Sequence, residues 1–185
     1  MLQLKLGATG LKVSALALGC LNFGSRTGRR DSYRLLDQYV DAGGAFLDTA
    51  NNYAFWNEGC LGGESESLLG QWMKDRGNRD QMFIATKAGA KPSYPGALNS
   101  AYTRKDVSIP ESYARSESLS RLQMLEEIAA ETGGTLNQIV LAWMLQSAPA
   151  VIPVIAASTP EQLGENLGAL EISLSQEQLE KLNQA

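Results

Sequence analysis

The sequence predicts an α/β fold with a parallel sheet and outer helices. Three observations lead to this prediction. The composition is that of a soluble globular domain, because 44% of the 185 residues are hydrophobic and 19% are charged. The first half of the chain reads β-α-β-α-β, which is typical of parallel strands joined by helices. Two further helices then precede a fourth strand. We therefore expect a single α/β domain over residues 1–185.

An N-terminal hairpin is predicted at residues 2–6 and 11–13, because both segments alternate around a turn that contains glycine. Short apolar segments predict the parallel strands at 14–19, 45–47, 82–86 and 151–155. Four parallel strands with their helices are half of an eight-stranded (β/α)8 TIM barrel, whose full length is typically ~250 residues.

Helical periodicity predicts helices at 64–74, 119–131, 136–146, 160–170 and 175–182. An earlier helix is predicted to begin at Asp31 as its N-cap and to stop at Gly43 and Gly44. Ser175 and Gln178 have the spacing of a capping box. Residues 88–115 contain three prolines and no clear period, which predicts a long loop.

Charge and composition exclude several classes of function. The net charge of −4 and the pI near 4.9 exclude nucleic acid and anionic membranes as partners, since both require a basic surface. The absence of histidine removes the usual general base and the commonest zinc ligand, so no metal site is expected. The N-terminus lacks the pattern of a signal peptide, and no apolar run reaches the ~20 residues that span a bilayer. Cys20 and Cys60 are expected to be reduced thiols in a cytoplasmic protein, with a disulfide as the alternative.

Three polar residues follow the carboxyl ends of successive strands. Asp48 follows the second parallel strand, Tyr53 lies in the loop beyond it, and Lys87 follows the third. Active sites of parallel α/β folds form at this edge of the sheet. A buried lysine beside a tyrosine favours the phenolate, so the tyrosine can act as a general acid toward a carbonyl oxygen. From spacing alone, the alternative is that Asp48 caps a turn, Tyr53 packs and Lys87 is solvated.

Several segments resemble the aldo-keto reductase family. Residues 46–53 (FLDTANNY) are similar to its F-[IL]-D-T-A-x-x-Y segment, and residues 84–87 (IATK) resemble the strand that ends in its catalytic lysine. Residues 6–14 and 18–24 are similar to its opening hairpin and first strand. The resemblance implies NADP(H)-dependent reduction of a small aldehyde or ketone. It implies that Tyr53 donates the proton, Lys87 acidifies Tyr53, and Asp48 holds Lys87.

The C-terminal part is also similar to the family. Residues 136–143 resemble the helix before its last strand, and residues 152–166 resemble its segment for the adenosine end of NADP. The cofactor-binding residues that the resemblance implies are Gly19, Cys20, Asp48, Leu98, Ala156, Ala157, Ser158, Thr159, Gln162, Glu165 and Asn166. Ala156 stands where glycine is common and Ser158 where a basic residue is frequent, so the choice between NADP and NAD stays open. The absence of a G-x-G-x-x-G fingerprint argues against a Rossmann site.

The resemblance covers residues 1–95 and 96–185, but these halves are not neighbours in the family. Residues 96–104 resemble the loop after the family's seventh strand, which predicts an internal deletion of strands four to seven. The catalytic histidine and the nicotinamide contacts would be lost with them, so weak activity or none is expected. The alternatives are a non-catalytic remnant that at most binds NADP, and a natural molecule with residues that this sequence lacks.

The four remaining strands would form one arc, with the eighth strand beside the first, in the order 8-1-2-3. An open arc exposes two strand edges and an apolar inner face. Two arcs related by a twofold axis would close an eight-stranded ring, so the predicted fold is a truncated barrel completed by a homodimer. The alternative is a domain-swapped dimer with incomplete barrels.

Overall fold

The structure, a computed structural model, describes residues 1–88 and 116–184. They fall into two compact units, one of Met1–Thr103 with Val154–Leu163 and the other of Arg104–Pro153 with Gly164–Ala185. Nearly all of the predicted loop at 88–115 lies outside the described residues. Both cysteines are free thiols, so the disulfide alternative is not formed.

The first unit contains the predicted hairpin and the parallel sheet. The hairpin strands β1 (Gln3–Lys5) and β2 (Lys12–Ser14) are antiparallel. The sheet consists of β3 (Ala17–Gly19), β4 (Phe46–Asp48), β5 (Phe83–Ala85) and β6 (Val154–Ile155). All its strand pairs are parallel, and the order β5-β4-β3-β6 is the predicted arc, with the last strand beside the first.

β3 and β6 start three residues later than predicted, whereas β4 and β5 start one residue later. β3 begins at Ala17 because Ser14 still belongs to β2, where its Oγ accepts a hydrogen bond from the Ala45 N–H at 2.6 Å. β6 has only two residues, since Pro153 has no N–H with which to extend the ladder. Both strands end where predicted, so the edge of the sheet that carries the candidate site is unaffected.

The described helices are α1 (Arg29–Asp41), α2 (Glu64–Arg76), α3 (Ser116–Thr132), α4 (Leu136–Leu145), α5 (Pro160–Gly168) and α6 (Gln176–Gln184). Each corresponds to a predicted helix. The prediction that Asp31 is an N-cap is wrong, because α1 starts at Arg29 and the Asp31 carboxylate lies in the first turn, paired with Arg30. The capping box before α6 is confirmed, since Ser175 and Gln178 each accept a hydrogen bond from the other's backbone N–H.

The two faces of the sheet differ in burial. Leu18 pairs with Leu47 on one side and with Ile155 on the other, and all three side chains are buried. Neighbouring residues along each strand point to the opposite face. On that face Phe83 is half-buried, and Val154 is 58% exposed. The face that carries Leu18 is therefore core in β3, β4 and β6, whereas the other face is buried at Ala17 and only partly covered at Phe83 and Val154.

Gly44 allows the chain to pass close to the Tyr39 ring. A Cβ atom at position 44 would overlap the ring. We expect Gly44→Ala to lower the free energy of unfolding by about 2 kcal/mol, because a packed core does not accommodate an added methyl group. Gly70 in α2 has nothing within 4 Å of the same position. Gly70→Ala should therefore raise stability by about 0.5–1 kcal/mol through helix propensity. Chemical denaturation checks both, and an unchanged Gly44→Ala protein would contradict the packing argument.

Asp37 links α1 to α2. Its carboxylate accepts hydrogen bonds from Trp72 Nε1 at 2.9 Å and from Arg76 Nε and Nη2 at 2.9 and 2.7 Å. The Arg76 hydrogen bond lowers the pKa of Asp37 below its ordinary 3.8, with partial burial opposing and Trp72 assisting. A lowered pKa means that this stabilisation is present above the unfolded-state pKa and is lost as the pH falls through the folded-state pKa.

Asp37→Asn should therefore destabilise the protein at neutral pH, and its difference from the wild type should shrink below about pH 4. Denaturation curves of both proteins at neutral and acidic pH measure this difference. A gap that widens on acidification would show that another group carries the effect.

The second unit is built from helices. Ile128 of α3, Ile139 and Ala142 of α4, Leu174 and Leu182 form its buried cluster. The start of α4 is fixed by a capping box between Thr135 and Gln138. In the parts of the chain that the structure describes, no helix has the length and apolar character needed to cross a membrane.

Candidate active site

Backbone hydrogen bonds hold together the segments that follow β3, β4 and β5. Asp48 lies opposite Gly19 on one side and Ala85 on the other. Beyond the strands, the Cys20 N–H donates to the Asp48 carbonyl at 2.8 Å, and the Thr49 N–H donates to the Ala85 carbonyl at 2.8 Å. The parallel register thus brings the side chains of Asp48 and Lys87 to one edge, as the sequence predicts.

Lys87 is held by three oxygen atoms. Its Nζ donates to both carboxylate oxygens of Asp48 at 2.8 Å and to the Thr49 carbonyl at 2.6 Å. The Asp48 side chain is 21% exposed, but that of Lys87 is 53% exposed, so Lys87 is less buried than predicted. Partial desolvation alone would lower the pKa of Lys87, but its interactions with Asp48 and Tyr53 together outweigh it and raise the pKa above its ordinary value. Lys87 is therefore a stable cation at neutral pH.

Tyr53 completes the group. Its hydroxyl donates to Asp48 Oδ2 at 3.2 Å, and Lys87 Nζ lies 4.9 Å from the centroid of its ring. The structure therefore brings together all three residues that the sequence nominates as catalytic. The long bond to Asp48 is a weak one, so the hydroxyl can turn toward a carbonyl oxygen.

A buried chain of hydroxyl groups connects α2 to the edge of the sheet that carries Asp48 and Lys87. Ser65 Oγ donates to the Cys20 carbonyl at 2.8 Å and lies 2.8 Å from Thr49 Oγ1, which therefore donates to it. Ser65 and Thr49 are almost completely buried. This chain ties the first turn of α2 to the ends of β3 and β4. Ser65 was not among the predicted site residues. A polar residue at the buried start of an amphipathic helix is nevertheless a sequence signal that could have indicated it.

Gly19 and Cys20, both predicted to contact the cofactor, lie at the end of β3. Gly19 packs closely on β6, since a Cβ atom there would lie 3.2 Å from Val154 Cγ1. The Cys20 thiol is buried and donates to the Leu18 carbonyl at 3.4 Å. Burial, and then the charge of Asp48, raise the pKa of Cys20. The polar groups of Cys20 are thus engaged within the protein.

The segment predicted to bind the adenosine end of the cofactor follows β6. Ala156, Ser158, Thr159 and Gln162 are exposed, and Ala157 is half-buried. The Ser158 N–H donates to Gln162 Oε1 at 2.8 Å, and the Gln162 N–H donates to Thr159 Oγ1 at 3.3 Å. The segment 156–163 contains no lysine or arginine. Two of its backbone donors are therefore already paired, and the segment itself offers no cation to a 2′-phosphate.

Two further predicted cofactor residues lie later in α5. Glu165 and Asn166 belong to the second unit, where Glu165 Oε1 accepts a hydrogen bond from Thr135 Oγ1 at 2.8 Å. Asn166 is buried, and its Oδ1 accepts a hydrogen bond from Asn137 Nδ2 at 2.7 Å. Leu98 lies outside the described residues.

Comparison with solved structures places this arrangement in a known fold. A crystal structure of the thermostable aldo-keto reductase Tm1743 in complex with the inhibitor epalrestat superposes with a TM-score of 0.70. The alignment covers 100% of this chain and 99% of that one, at 22% sequence identity. The similarity supports a barrel-like α/β fold.

Curated relatives match parts of the chain. The uncharacterized oxidoreductase YrpG of Bacillus subtilis is 42% identical over 83 residues, which are 44% of this chain and 24% of YrpG. The aryl-alcohol dehydrogenase [NADP(+)] of Phanerodontia chrysosporium is 43% identical over 86 residues, which are 42% of this chain and 20% of that enzyme. The match to these relatives thus spans about a quarter of their length or less. An uncharacterized 11.2 kDa protein of Pseudescherichia vulneris is 38% identical over 86 residues, 46% of this chain and 84% of its own.

The sequence model described as "Aldo/keto reductase family" matches residues 15–116 and again residues 96–185. These two matches together include most of the chain and both segments on which the resemblance depends. The chain therefore belongs to the aldo-keto reductase family.

Proposed function

We propose that this chain retains the acid–base half of an aldo-keto reductase site and that its reduction of aldehydes or ketones is weak or absent. Membership of the family supports an oxidoreductase function. The observation that carries the proposal is the contact of Asp48 with both Lys87 and Tyr53 at one edge of the sheet. This arrangement places a hydroxyl that can donate a proton beside a stable cation, which suits proton donation to a carbonyl.

In the proposed reaction, a bound nicotinamide cofactor would supply the hydride to the carbonyl carbon. The Tyr53 hydroxyl would turn from Asp48 and donate its proton to the carbonyl oxygen. The Lys87 ammonium would stabilise the phenolate that this leaves. Asp48 would keep Lys87 charged and in place, since both carboxylate oxygens accept from Nζ at 2.8 Å.

Two features argue that turnover is slow. The chain has no histidine, so a fourth catalytic group of that type is missing. The segment 156–163 pairs two of its own backbone donors and carries no cation, which favours weak binding of NADP(H) and leaves NAD(H) as a candidate. A hydride donor misplaced by about 1 Å can lower the rate ~100-fold. The second family match begins at residue 96, which supports a deletion near that point.

The test has two stages. Titration with NADPH and with NADH, followed by cofactor fluorescence, measures binding. Consumption of the bound cofactor on addition of an aldehyde then measures turnover. Binding with turnover supports the reductase, and binding without turnover supports the alternative of a non-catalytic remnant. Absence of both would contradict a cofactor-dependent function for this chain.

We also propose that two copies of this chain associate through the sheet. β5 and β6 are the outer strands of the described sheet, and each has one neighbour in it. The face that carries Phe83 and Val154 is only partly covered, and Val154 is 58% exposed. A second copy related by a twofold axis would pair β5 with β6 of its partner and close the ring. Exchange of the C-terminal half between the copies is the alternative.

Val154→Lys should weaken this dimer, because a charge on an edge strand opposes pairing with a second sheet. Light scattering over a range of concentrations should show the mutant dissociating at a higher concentration than the wild type. Leu61→Lys, which adds the same charge to a loop residue that is 93% exposed, should behave as the wild type. A folded wild-type monomer at micromolar concentration would contradict either form of dimer.

A further inference from the structure

The loop after β4 places an aromatic cluster beside the candidate proton donor. The ring of Trp56 meets that of Tyr53 edge to face, with centroids 6.4 Å apart, and that of Phe55 with centroids 5.1 Å apart. All three side chains are half-buried. Between them Ala54 is buried and has a φ of 74°, a left-handed conformation that residues other than glycine seldom adopt. The strained backbone at Ala54 thus lies between Tyr53 and the other two aromatic residues. Backbone strain of this kind is found mainly at functional sites.

Trp56 differs from the other two tryptophans in its hydrogen bonding. Trp72 Nε1 donates to Asp37, and Trp143 Nε1 donates to Asn183. The indole N–H of Trp56 makes no hydrogen bond with any residue that the structure describes. The adjacent Asn57 has a buried Nδ2 that likewise lacks a partner there. A half-buried indole with its donor unused is well suited to receive a ligand, since tryptophan offers both an apolar surface and a polar group.

The charges of the site indicate what kind of ligand this is. Asp48 and Lys87 form an ion pair, so the polar part of the site carries no net charge. The surface next to it is aromatic. A neutral, flat ring bearing a carbonyl group would place the ring against Trp56 and the carbonyl oxygen toward the Tyr53 hydroxyl.

We infer that Trp56, with Phe55, forms the wall that binds the aryl group of an aromatic aldehyde or ketone, and that Trp56 determines the preference for aryl over alkyl substrates. This inference rests on the proposed carbonyl reduction. It assigns to Trp56 contact with the part of the substrate that does not react, and it leaves the proton transfer to Tyr53.

The first test is binding, which does not require turnover. Benzaldehyde should quench tryptophan fluorescence, after correction for its own absorbance, in the wild type and in Trp143→Phe. Quenching should be lost when Trp56→Phe is combined with Trp143→Phe, because the remaining Trp72 is completely buried. Hexanal should quench at least about 10-fold less well at the same concentration. Equal quenching of Trp56→Phe and wild type by benzaldehyde would overturn the inference.

The second test is the ratio of kcat/KM for benzaldehyde to that for hexanal. Trp56→Ala should lower this ratio about 10-fold, and Trp56→Phe should restore most of it, since the second variant keeps a ring. An unchanged ratio in a folded Trp56→Ala protein would overturn the inference while the proposed reductase stands. If no protein turns over either aldehyde, the non-catalytic alternative is favoured over the weak reductase, and the fluorescence result alone decides whether Trp56 binds an aryl group.

Discussion

Tyr53→Phe is expected to lower the rate of carbonyl reduction by about 100-fold or more, because loss of a positioned general acid removes roughly that factor. The ring contacts with Trp56 and Lys87 would remain, so binding of the carbonyl compound should change little. Steady-state measurement of cofactor consumption with one aldehyde gives the comparison.

Tyr33→Phe is the matched control, because it also removes one tyrosine hydroxyl but on the surface of α1, where that hydroxyl donates to Asp75. The control should reduce aldehydes at the wild-type rate. If Tyr53→Phe also reduced aldehydes at the wild-type rate, the proton donor would be a different group. The proposed roles of Asp48 and Lys87 in the reaction would then be wrong as well.

Tyr39→Phe should lower the free energy of unfolding by on the order of 3 kcal/mol, because it leaves buried backbone groups without a partner. Tyr39 is completely buried in α1. Its hydroxyl lies 2.7 Å from the Leu16 carbonyl and 2.9 Å from the Phe46 carbonyl, and it accepts a hydrogen bond from the Phe46 N–H at 3.2 Å. One side chain thus connects α1 to the starts of β3 and β4.

The surface variant Tyr33→Phe is also the control for this stability measurement. Its exposed hydroxyl should contribute no more than about 0.5 kcal/mol, as is usual for a surface substitution. Thermal or chemical denaturation of both variants separates the two cases. A loss of similar size at the two positions would mean that the backbone groups of Leu16 and Phe46 find water as a partner once the Tyr39 hydroxyl is removed.

The sequence was sufficient for the elements whose signals are local. The box of Ser175 and Gln178 marks the start of α6 because both hydrogen bonds lie within four residues. The position of Asp31 was predicted wrongly because a carboxylate is favourable both as an N-cap and in the first turn of a helix, and only the backbone conformation distinguishes the two. The early part of β6 was overestimated because an apolar segment does not reveal which of its N–H groups has a partner.

Those residues of the candidate site that belong to contiguous sequence motifs could be predicted. Asp48 and Tyr53 lie in one such segment and Lys87 in another, and a parallel sheet necessarily brings their strand ends together. Ser65 and Trp56 were not found, because their roles depend on contacts with carbonyls and rings that only the folded loop creates. Glu165 and Asn166 illustrate the opposite case, since their hydrogen bonds to α4 and to the residue before it are tertiary contacts that no motif encodes.

The burial of Cys20 makes this chain suitable for site-specific labelling. A maleimide requires an accessible thiolate, and Cys20 has neither access to solvent nor an easily lost proton. Cys60, the other cysteine, is half-buried in the loop that carries Tyr53 and Trp56. Burial, and then the charge of Glu64, raise the pKa of Cys60, so its reaction should be slow but selective. A single fluorophore at Cys60 would thus report on movements of this loop without any substitution in the protein.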